Sequence, residues 1–277
     1  MKYVIWGATA SARKIYKEIE KNFEIVAFVD NSTEKIGTKL DGYEIVSPSQ
    51  LKKIEYDKIA ILSISALYVI KEQILGMGIS EHKIDTSFVE TKVRARINFL
   101  SDFAKIVYRY NVQGSVAEAG VFQGEFAKEM NKYFPDKFLY LFDTFEGFDK
   151  RDIQIEEACN YSEAKEGYLN ITSEKLVLSK MSHPEKCIIR KGYFPETAIG
   201  INDDFCFVNL DMDLYKPTIE GLRFFWDKMV DGGIIIVHDY YSEGYKGVRD
   251  AVSEFTKEEG LLPFPIGDSI SIAIKKC

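Results

Sequence analysis

The sequence predicts an α/β protein built from two parallel, doubly wound sheets, a smaller one followed by a larger one, and three observations carry that prediction. Short runs rich in Val, Ile and Phe alternate with helix-period segments along the 277 residues. Several of those runs stop on a glycine or an acid, as at Trp6-Gly7, Val29-Asp30, Phe142-Asp143 and Leu210-Asp211. Between the halves, Val93, Ile97, Leu100, Phe103, Ala104 and Val107 form the apolar stripe of a helix over residues 92–110, whose charged Lys92, Arg94 and Arg96 read as a solvated face. Domains of residues 1–90 and 91–277 are expected.

In the first half, residues 2–6 read as a strand, 7–11 as a turn, and 12–22 as a helix with Ile15 and Ile19 on one face. Residues 24–29 form the next strand, and Asp30 then stands where a nucleotide-binding half-sheet places its ribose acid. Residues 43–51 read as a short strand, a loop at Pro48 and a helix cap. A strand over 59–63 and a helix over 68–77 complete the alternation, which closes near Asp85.

Residues 115–124, Ser-Val-Ala-Glu-Ala-Gly-Val-Phe-Gln-Gly, organise the second half. They read as a buried strand breaking into a tight turn that opens a helix over 125–133. Glu118 comes where the strand ends, and Gly120 and Gly124 remove side chains where backbone approaches a ligand. A strand over 138–142 ends on Asp143, about 20 residues beyond the glycines, the spacing at which such sheets place an acid for a ribose hydroxyl pair. A dinucleotide site would want a glycine where Phe122 stands. An adenosine ligand without phosphates would not, and S-adenosylmethionine is one.

After Asp143 the periodicity lapses. Residues 144–172 are polar, with aromatics at Phe145, Phe148, Tyr161 and Tyr168, and read as a lid or substrate loop, or else as a mobile surface loop. A helix over 173–181 capped by Ser173 follows. Residues 186–190 are a strand leading to Gly192 and Tyr193. Residues 205–210 are a strand, apolar except for Asn209, that ends on Asp211. A helix over 218–229, a turn at Gly232-Gly233, and a strand over 234–237 running into His238-Asp239 come next. A helix over 246–256 and strands near 262–265 and 270–274 close the sheet.

Composition narrows the function. A net charge of −7 without a basic stripe argues against nucleic acid as a partner. The scattered Cys159, Cys187, Cys206 and Cys277 suggest neither a zinc site nor a disulfide framework, and fit a reducing compartment. The opening apolar run is too short for a secretory segment, and residues 59–70, interrupted by Ser63 and Ser65, are too short to span a bilayer. A cytoplasmic protein with no membrane partner is expected.

Ligands of an open parallel sheet gather where strands end at its carboxyl edge. Glu118, Asp143, Asp211 and the pair His238-Asp239 all belong there. Two acids and an imidazole, Asp211, Asp239 and His238, suit magnesium or manganese. Two readings stand for Asp213, a site residue or the cap of the following helix, and two for His238, a ligand or a hydrogen-bonded edge residue.

Five blocks in order, Glu118-Ala-Gly-Val-Phe-Gln-Gly124, Phe142-Asp-Thr-Phe-Glu-Gly-Phe148, Lys191-Gly-Tyr-Phe-Pro-Glu-Thr197, Leu210-Asp-Met-Asp-Leu-Tyr-Lys-Pro-Thr218 and Gly232-Gly-Ile-Ile-Ile-Val-His-Asp-Tyr240, resemble the TylF-like macrocin O-methyltransferase family. The resemblance covers Val93 to the carboxyl terminus. It implies a class I methyltransferase (Rossmann-like) sheet, S-adenosylmethionine as donor, and Mg2+-dependent transfer to a hydroxyl of a small-molecule sugar or glycan precursor. By position, Glu118, Gly120 and Gly124 would line the methionine end, with Phe122 between them. Asp143 would bind the ribose, with Thr144 beside it, and Gly192 and Tyr193 would lie near the adenine. Asp211, His238 and Asp239 would hold the metal, at a set whose middle position is usually aspartate in the family. The proton acceptor would be one of Asp211, Asp213 and His238.

The amino-terminal stretches Trp6-Gly-Ala-Thr-Ala-Ser-Ala-Arg13, Ala27-Phe-Val-Asp-Asn31 and Gly42-Tyr-Glu-Ile-Val-Ser-Pro48 resemble nucleotide-binding-like domains attached to bacterial sugar-modifying enzymes. Thr9, Ala10 and Ala12 replace glycines there, and both a structural or oligomerising role and a bound nucleotide or nucleotide-sugar stay open. A homo-oligomer, and a non-catalytic scaffold binding S-adenosylmethionine or a nucleotide-sugar, are the remaining alternatives.

Overall fold

A computed structural model describes residues 1–8, 12–63 and 66–277. The expectations at Thr9, Ala10, Ser11 and Ser65 lie outside the described residues. The chain folds as two units, Met1–Arg94 and Ala95–Cys277.

In the first unit, β1 (Lys2–Trp6), α1 (Arg13–Glu20), β2 (Glu24–Val29), β3 (Lys39–Leu40), β4 (Tyr43–Val46), β5 (Lys58–Ile61), α2 (Leu67–Gly76) and β6 (Ile84–Asp85) follow in order. They form a six-stranded sheet, β3-β4-β2-β1-β5-β6, parallel except for the β3–β4 pair. Its central strands are nearly all buried, as expected of parallel strands covered on both faces. Trp6, Tyr16 and Phe28 anchor its core, and Tyr16 meets Phe28 edge to face with centroids 5.0 Å apart. The two-residue strands β3 and β6 carry no periodicity of their own and were not expected.

Helix α3 (Ser87–Arg109) starts before the apolar stripe that predicts it, because the Thr86 carbonyl and hydroxyl bind the Glu90 amide and carboxylate and nucleate the first turn. The second unit continues with β7 (Ser115–Ala119), α4 (Glu125–Tyr133), β8 (Leu139–Asp143), α5 (Lys150–Cys159), α6 (Glu174–Ser179), β9 (Cys187–Lys191), β10 (Phe205–Leu210), α7 (Tyr215–Trp226), β11 (Met229–Val237), α8 (Lys246–Glu259), β12 (Phe264–Pro265) and β13 (Ile272–Lys275). The seven-stranded sheet runs β12-β13-β11-β10-β7-β8-β9, with β13 antiparallel to both its neighbours. The chain winds outward from β7 through β8 to β9, then crosses back to β10 on the other side. That crossing puts the topological switch point between β7 and β10, where the strand ends leave a crevice.

Two expectations are corrected here. Gly232 and Gly233 lie inside β11, where Gly232 N–H donates to the Lys276 carbonyl and a Cβ on Gly233 would come within 2.9 Å of the Val230 carbonyl. The pair marks a bulge beside β10, whose register shifts between Phe205 and Phe207. Residues 144–172 are also more ordered than their polarity suggests. Asp149 accepts the Arg151 amide and caps α5, and Asn160 closes it in the left-handed conformation.

Helix α5 was hidden from periodicity because its buried positions are Asp152, Ile153 and Glu156, two acids and one aliphatic. Glu156, fully buried, accepts Tyr215 N–H at 2.9 Å and Ser162 Oγ–H at 2.6 Å. It thereby ties α5 to the first residue of α7. Ile153, Ala164 and Leu214 form a small core against Phe148 and Tyr245. Among the described residues no helix is long and apolar enough to cross a membrane.

Candidate active site

At the end of β7 the chain turns through Gly120, Phe122 and Gly124 with positive φ at each, +85°, +47° and +77°. Asp143, at the end of the neighbouring β8, holds this turn. Its Oδ2 accepts the amides of Val121 and Phe122, each at 2.8 Å, and its Oδ1 accepts the Phe145 amide at 2.7 Å. Burial raises the Asp143 carboxyl above its ordinary value, and the three amides oppose the shift. A carboxylate has about four acceptor positions, so one is left for a ligand hydroxyl.

Gly120 is required by the protein itself. A Cβ there would lie 2.0 Å from the Asp211 carbonyl oxygen, so β7 and β10 can approach this closely only with glycine at the turn. Gly124 opens α4, and its vacant side faces Val177 and Met181 of the α6 region. The glycine turn is thus packed from behind by the protein. Thr144 donates its hydroxyl to the Gly147 carbonyl at 2.7 Å, and Thr172 donates to the Phe122 carbonyl.

Gly192 N–H donates to the Asp143 carbonyl, which brings the β9 turn beside the β8 turn. Tyr193 is gripped on two sides. Its hydroxyl donates to Asp152 Oδ1 at 2.7 Å, and the Arg151 guanidinium lies 3.5 Å over its ring. Burial pushes the Asp152 carboxyl up to about 6 against the opposing Tyr193 hydrogen bond.

Asp152 holds its proton more tightly folded than unfolded, where the ordinary value is 3.8. Its contribution to stability is therefore full below the unfolded value and is lost as pH rises through about 6. Asp152→Asn is uncharged throughout and keeps an acceptor for Tyr193. It is expected to be more stable than the wild type at pH 8 by about 2 kcal/mol, with the difference vanishing near pH 4. Paired denaturant unfolding at the two pH values measures this, and a difference that stays constant with pH would refute it.

The other side of the crevice gathers the acids. Asp211 Oδ1 and Asp239 Oδ2 lie 3.0 and 2.7 Å from His238 Nδ1, and one donor atom from each of the three residues falls within 4.8 Å of the others. His238 is buried and its Nε2 has no partner among the described residues. Burial and Arg96 would lower the imidazole, but the charges of Asp211 and Asp239 outweigh them and raise it to about 10. Burial would likewise raise Asp211, yet His238 and Arg96 hold its carboxyl well below the usual range. Two carboxylates and one imidazole nitrogen clustered this closely match the donor set of a hexacoordinate divalent cation.

Asp213 adjoins this group with φ +62°. Burial first, then the charges of Asp239 and Asp211 and a hydrogen bond to Asp239, push its carboxyl well above the ordinary value. It does not cap α7. Leu214 holds that position without a side-chain bond, and Glu156 takes the Tyr215 amide instead. Burial also raises the Tyr245 phenol, and the charges of Asp213, Asp239 and Asp211 add to the effect.

The structure therefore brings every site residue predicted in the second half to the carboxyl edge of one sheet, and adds some, while Asp30 of the first unit accepts from the Ala8 amide and the Lys35 ammonium. Arg96, expected on a solvated face with Lys92 and Arg94, is 9% exposed. Its Nη2 donates to Asn209 Oδ1 at 2.7 Å and to Asp211 Oδ2 at 3.0 Å. Asn209 in turn donates to Glu118 Oε1 at 2.8 Å, while Glu118 Oε2 has no partner among the described residues. Burial raises the Glu118 carboxyl well above its ordinary value, opposed by Arg96. The signal for Arg96 was present in its spacing. Three residues after Val93 and four before Leu100, it lies on the buried stripe of α3.

Comparison with known proteins places this architecture. The family described as C2185-like, N-terminal, matches residues 1–85, and the family described as Macrocin-O-methyltransferase (TylF) matches residues 84–271. No curated protein matches. Of solved structures, the O-methyltransferase NovP is 20% identical over 66% of this chain and 79% of its own, with a TM-score of 0.53. CalS11, the calicheamicin methyltransferase, is 16% identical over 68% of this chain and 81% of its own, with a TM-score of 0.56. At such identities these two establish the fold, and the family match extends from β6 through the glycine turn and the acid cluster to the residue before β13. The chain belongs to the macrocin-O-methyltransferase (TylF) family and is an S-adenosylmethionine-dependent O-methyltransferase whose class I methyltransferase sheet follows a separate amino-terminal domain in the sequence.

Proposed function

We propose that this methyltransferase acts on a hydroxyl of a sugar or glycan precursor with the help of a divalent cation held by Asp211, His238 and Asp239. The observation that carries the reading is the clustering of these three donors at the ends of β10 and β11, one strand from the glycine turn. Membership of the macrocin-O-methyltransferase family, and a fold shared with a methyltransferase named for calicheamicin, support a small-molecule acceptor.

In this reading the crevice has a donor side and an acceptor side. On the donor side, Asp143 uses its remaining acceptor position for the ribose, and Gly192 and Tyr193 flank the adenine. Glu118, held by Asn209 on one oxygen, offers its free Oε2 to the amino-acid end, where a positive ammonium would satisfy that buried atom. Phe122, Gly124 and Thr144 shape the turn between these contacts. The sulfonium supplies an activated methyl group, so the protein's task is alignment and exclusion of water.

On the acceptor side, Asp211, His238 and Asp239 would hold Mg2+ or Mn2+, which when bound lowers the pKa of a coordinated hydroxyl. Asp213, which adjoins the cluster at the end of β10 and caps no helix, is the proton acceptor we favour. The α5 segment closes this side, with Phe148 against Tyr245 and Glu156 on the start of α7.

Methyl transfer to nucleotide-activated sugars, assayed with and without Mg2+, tests the function. Turnover that is indifferent to chelator, or confined to acceptors without vicinal hydroxyls, would sink it. Asp143→Ala orphans three amides of the turn and removes the ribose acceptor. Calorimetry with S-adenosylhomocysteine is expected to show affinity lower by about 100-fold, the loss of one hydrogen bond to a charged group together with the disturbed turn. An unchanged affinity would place the cofactor elsewhere.

A further inference from the structure

The family's donor and cation sites leave the Arg96 side chain without a role. It is buried, it projects from α3, and both its contacts lie more than 110 residues away in sequence. One guanidinium nitrogen bridges Asn209 Oδ1 and Asp211 Oδ2, and the guanidinium carbon lies 4.1 Å over the Phe126 ring. The stacking fixes the plane of the group and the two hydrogen bonds fix its rotation within that plane. Asn209 cannot turn away, because its amide is held in turn by Glu118.

The consequence falls on Asp211. Its two oxygens have different partners, Oδ2 the Arg96 guanidinium and Oδ1 the His238 imidazole. Oδ1 is the oxygen turned to His238 in the cluster, and Oδ2 is the one committed to the guanidinium. Carboxylates that can offer just one oxygen suit small cations of strict octahedral preference, whereas calcium favours higher coordination and commonly takes both oxygens.

We propose that Arg96 is a positioning residue of the transfer site. It occupies one oxygen of Asp211, leaves the carboxylate a single point of attachment for a cation, and so turns the site toward magnesium or manganese and away from calcium. This rests on the cation reading above, and the two can fail separately.

The test is cation binding to the full-length, metal-stripped protein. Mn2+ binding is followed by electron paramagnetic resonance, and Ca2+ is measured by competition against Mn2+. Wild type, Arg96→Met and Arg96→Lys are compared, with circular dichroism verifying the fold. The wild type is expected to prefer Mn2+, and Arg96→Met to narrow the ratio of the two dissociation constants by about tenfold, as the freed Oδ2 becomes available to calcium.

Removing a positive charge strengthens binding of both ions alike, so the ratio isolates the positioning effect from electrostatics. Arg96→Lys keeps the charge without the planar fork and is expected to narrow the ratio by a smaller factor. It also decides the matter if Arg96→Met does not fold. A ratio unchanged in the folded variants would overturn the role of Arg96 while leaving the cation site intact. A wild type that binds no Mn2+ would overturn the cation site itself.

Discussion

Gly120→Ala is expected to destabilise the second unit by more than about 4 kcal/mol and to abolish both cofactor binding and turnover, the largest effect of any single methyl group in the molecule. The added Cβ would stand 2.0 Å from the Asp211 carbonyl oxygen and 2.5 Å from its carbon, so no rotamer change relieves the contact. Backbone has to move, and the backbone on either side is committed. Asp211 N–H donates to the Ala119 carbonyl at 2.8 Å, and Gly120 N–H to the Phe142 carbonyl at 2.9 Å. Separating β7 from β10 would open the crevice where the candidate residues of both sides meet.

The positive φ of +85° adds strain for any side chain. Gly167→Ala isolates that part, since Gly167 has φ +75° but open space where its Cβ would go, and it should cost about 1 kcal/mol. Denaturant unfolding and calorimetry with S-adenosylhomocysteine on both variants measure the contrast. If Gly120→Ala behaves like Gly167→Ala, the close approach of the two strands is not what holds the site together.

Asp239→Asn is the second large effect and should be confined to one side of the crevice. Asp239 has φ +58°, a conformation asparagine shares and alanine adopts at a cost, so asparagine is the informative replacement. It retains an oxygen near His238 Nδ1 but removes the negative charge from the cluster. Turnover is expected to fall about 1,000-fold, roughly 4 kcal/mol in the barrier, and Mn2+ binding to weaken in parallel. Affinity for S-adenosylhomocysteine should stay within about twofold of wild type.

That selectivity follows from connectivity. The chain of hydrogen bonds leading to the donor side runs from Asp211 through Arg96 and Asn209 to Glu118, and Asp239 reaches it only through His238. An equal loss of cofactor affinity in Asp239→Asn would show that the two sides are one site and that the division of roles is wrong.

Much of the architecture is legible in the order of residues alone. Parallel strands buried on both faces must be apolar runs, and those runs stop where the chain needs polar groups, so Glu118, Asp143, Asp211 and His238-Asp239 announce both the sheet and its working edge. Helix α5 is not legible, since the residues it buries are Asp152 and Glu156 and their partners, Tyr193 and the Tyr215 amide, lie 41 and 59 residues further on. Local composition reads that stretch as a loop because the reason for the helix is tertiary. Arg96 fails for the opposite reason, being grouped by charge with its neighbours when its spacing already puts it on the buried stripe.

By itself the sequence determined the class of fold, the order of its main strands and the edge of the sheet where chemistry belongs, because each follows from periodicity, glycine placement and the residues that end apolar runs; the family followed from the resemblance of five blocks. Only the tertiary structure decided which polar groups are partners. A buried charge is stable only beside the group that compensates it, and that group can lie anywhere in the chain. So Arg96 meets Asp211, Asp143 closes on the glycine turn 21 and 22 residues before it, and Gly120 is glycine for the sake of a carbonyl three strand ends away in sequence and beside it in space.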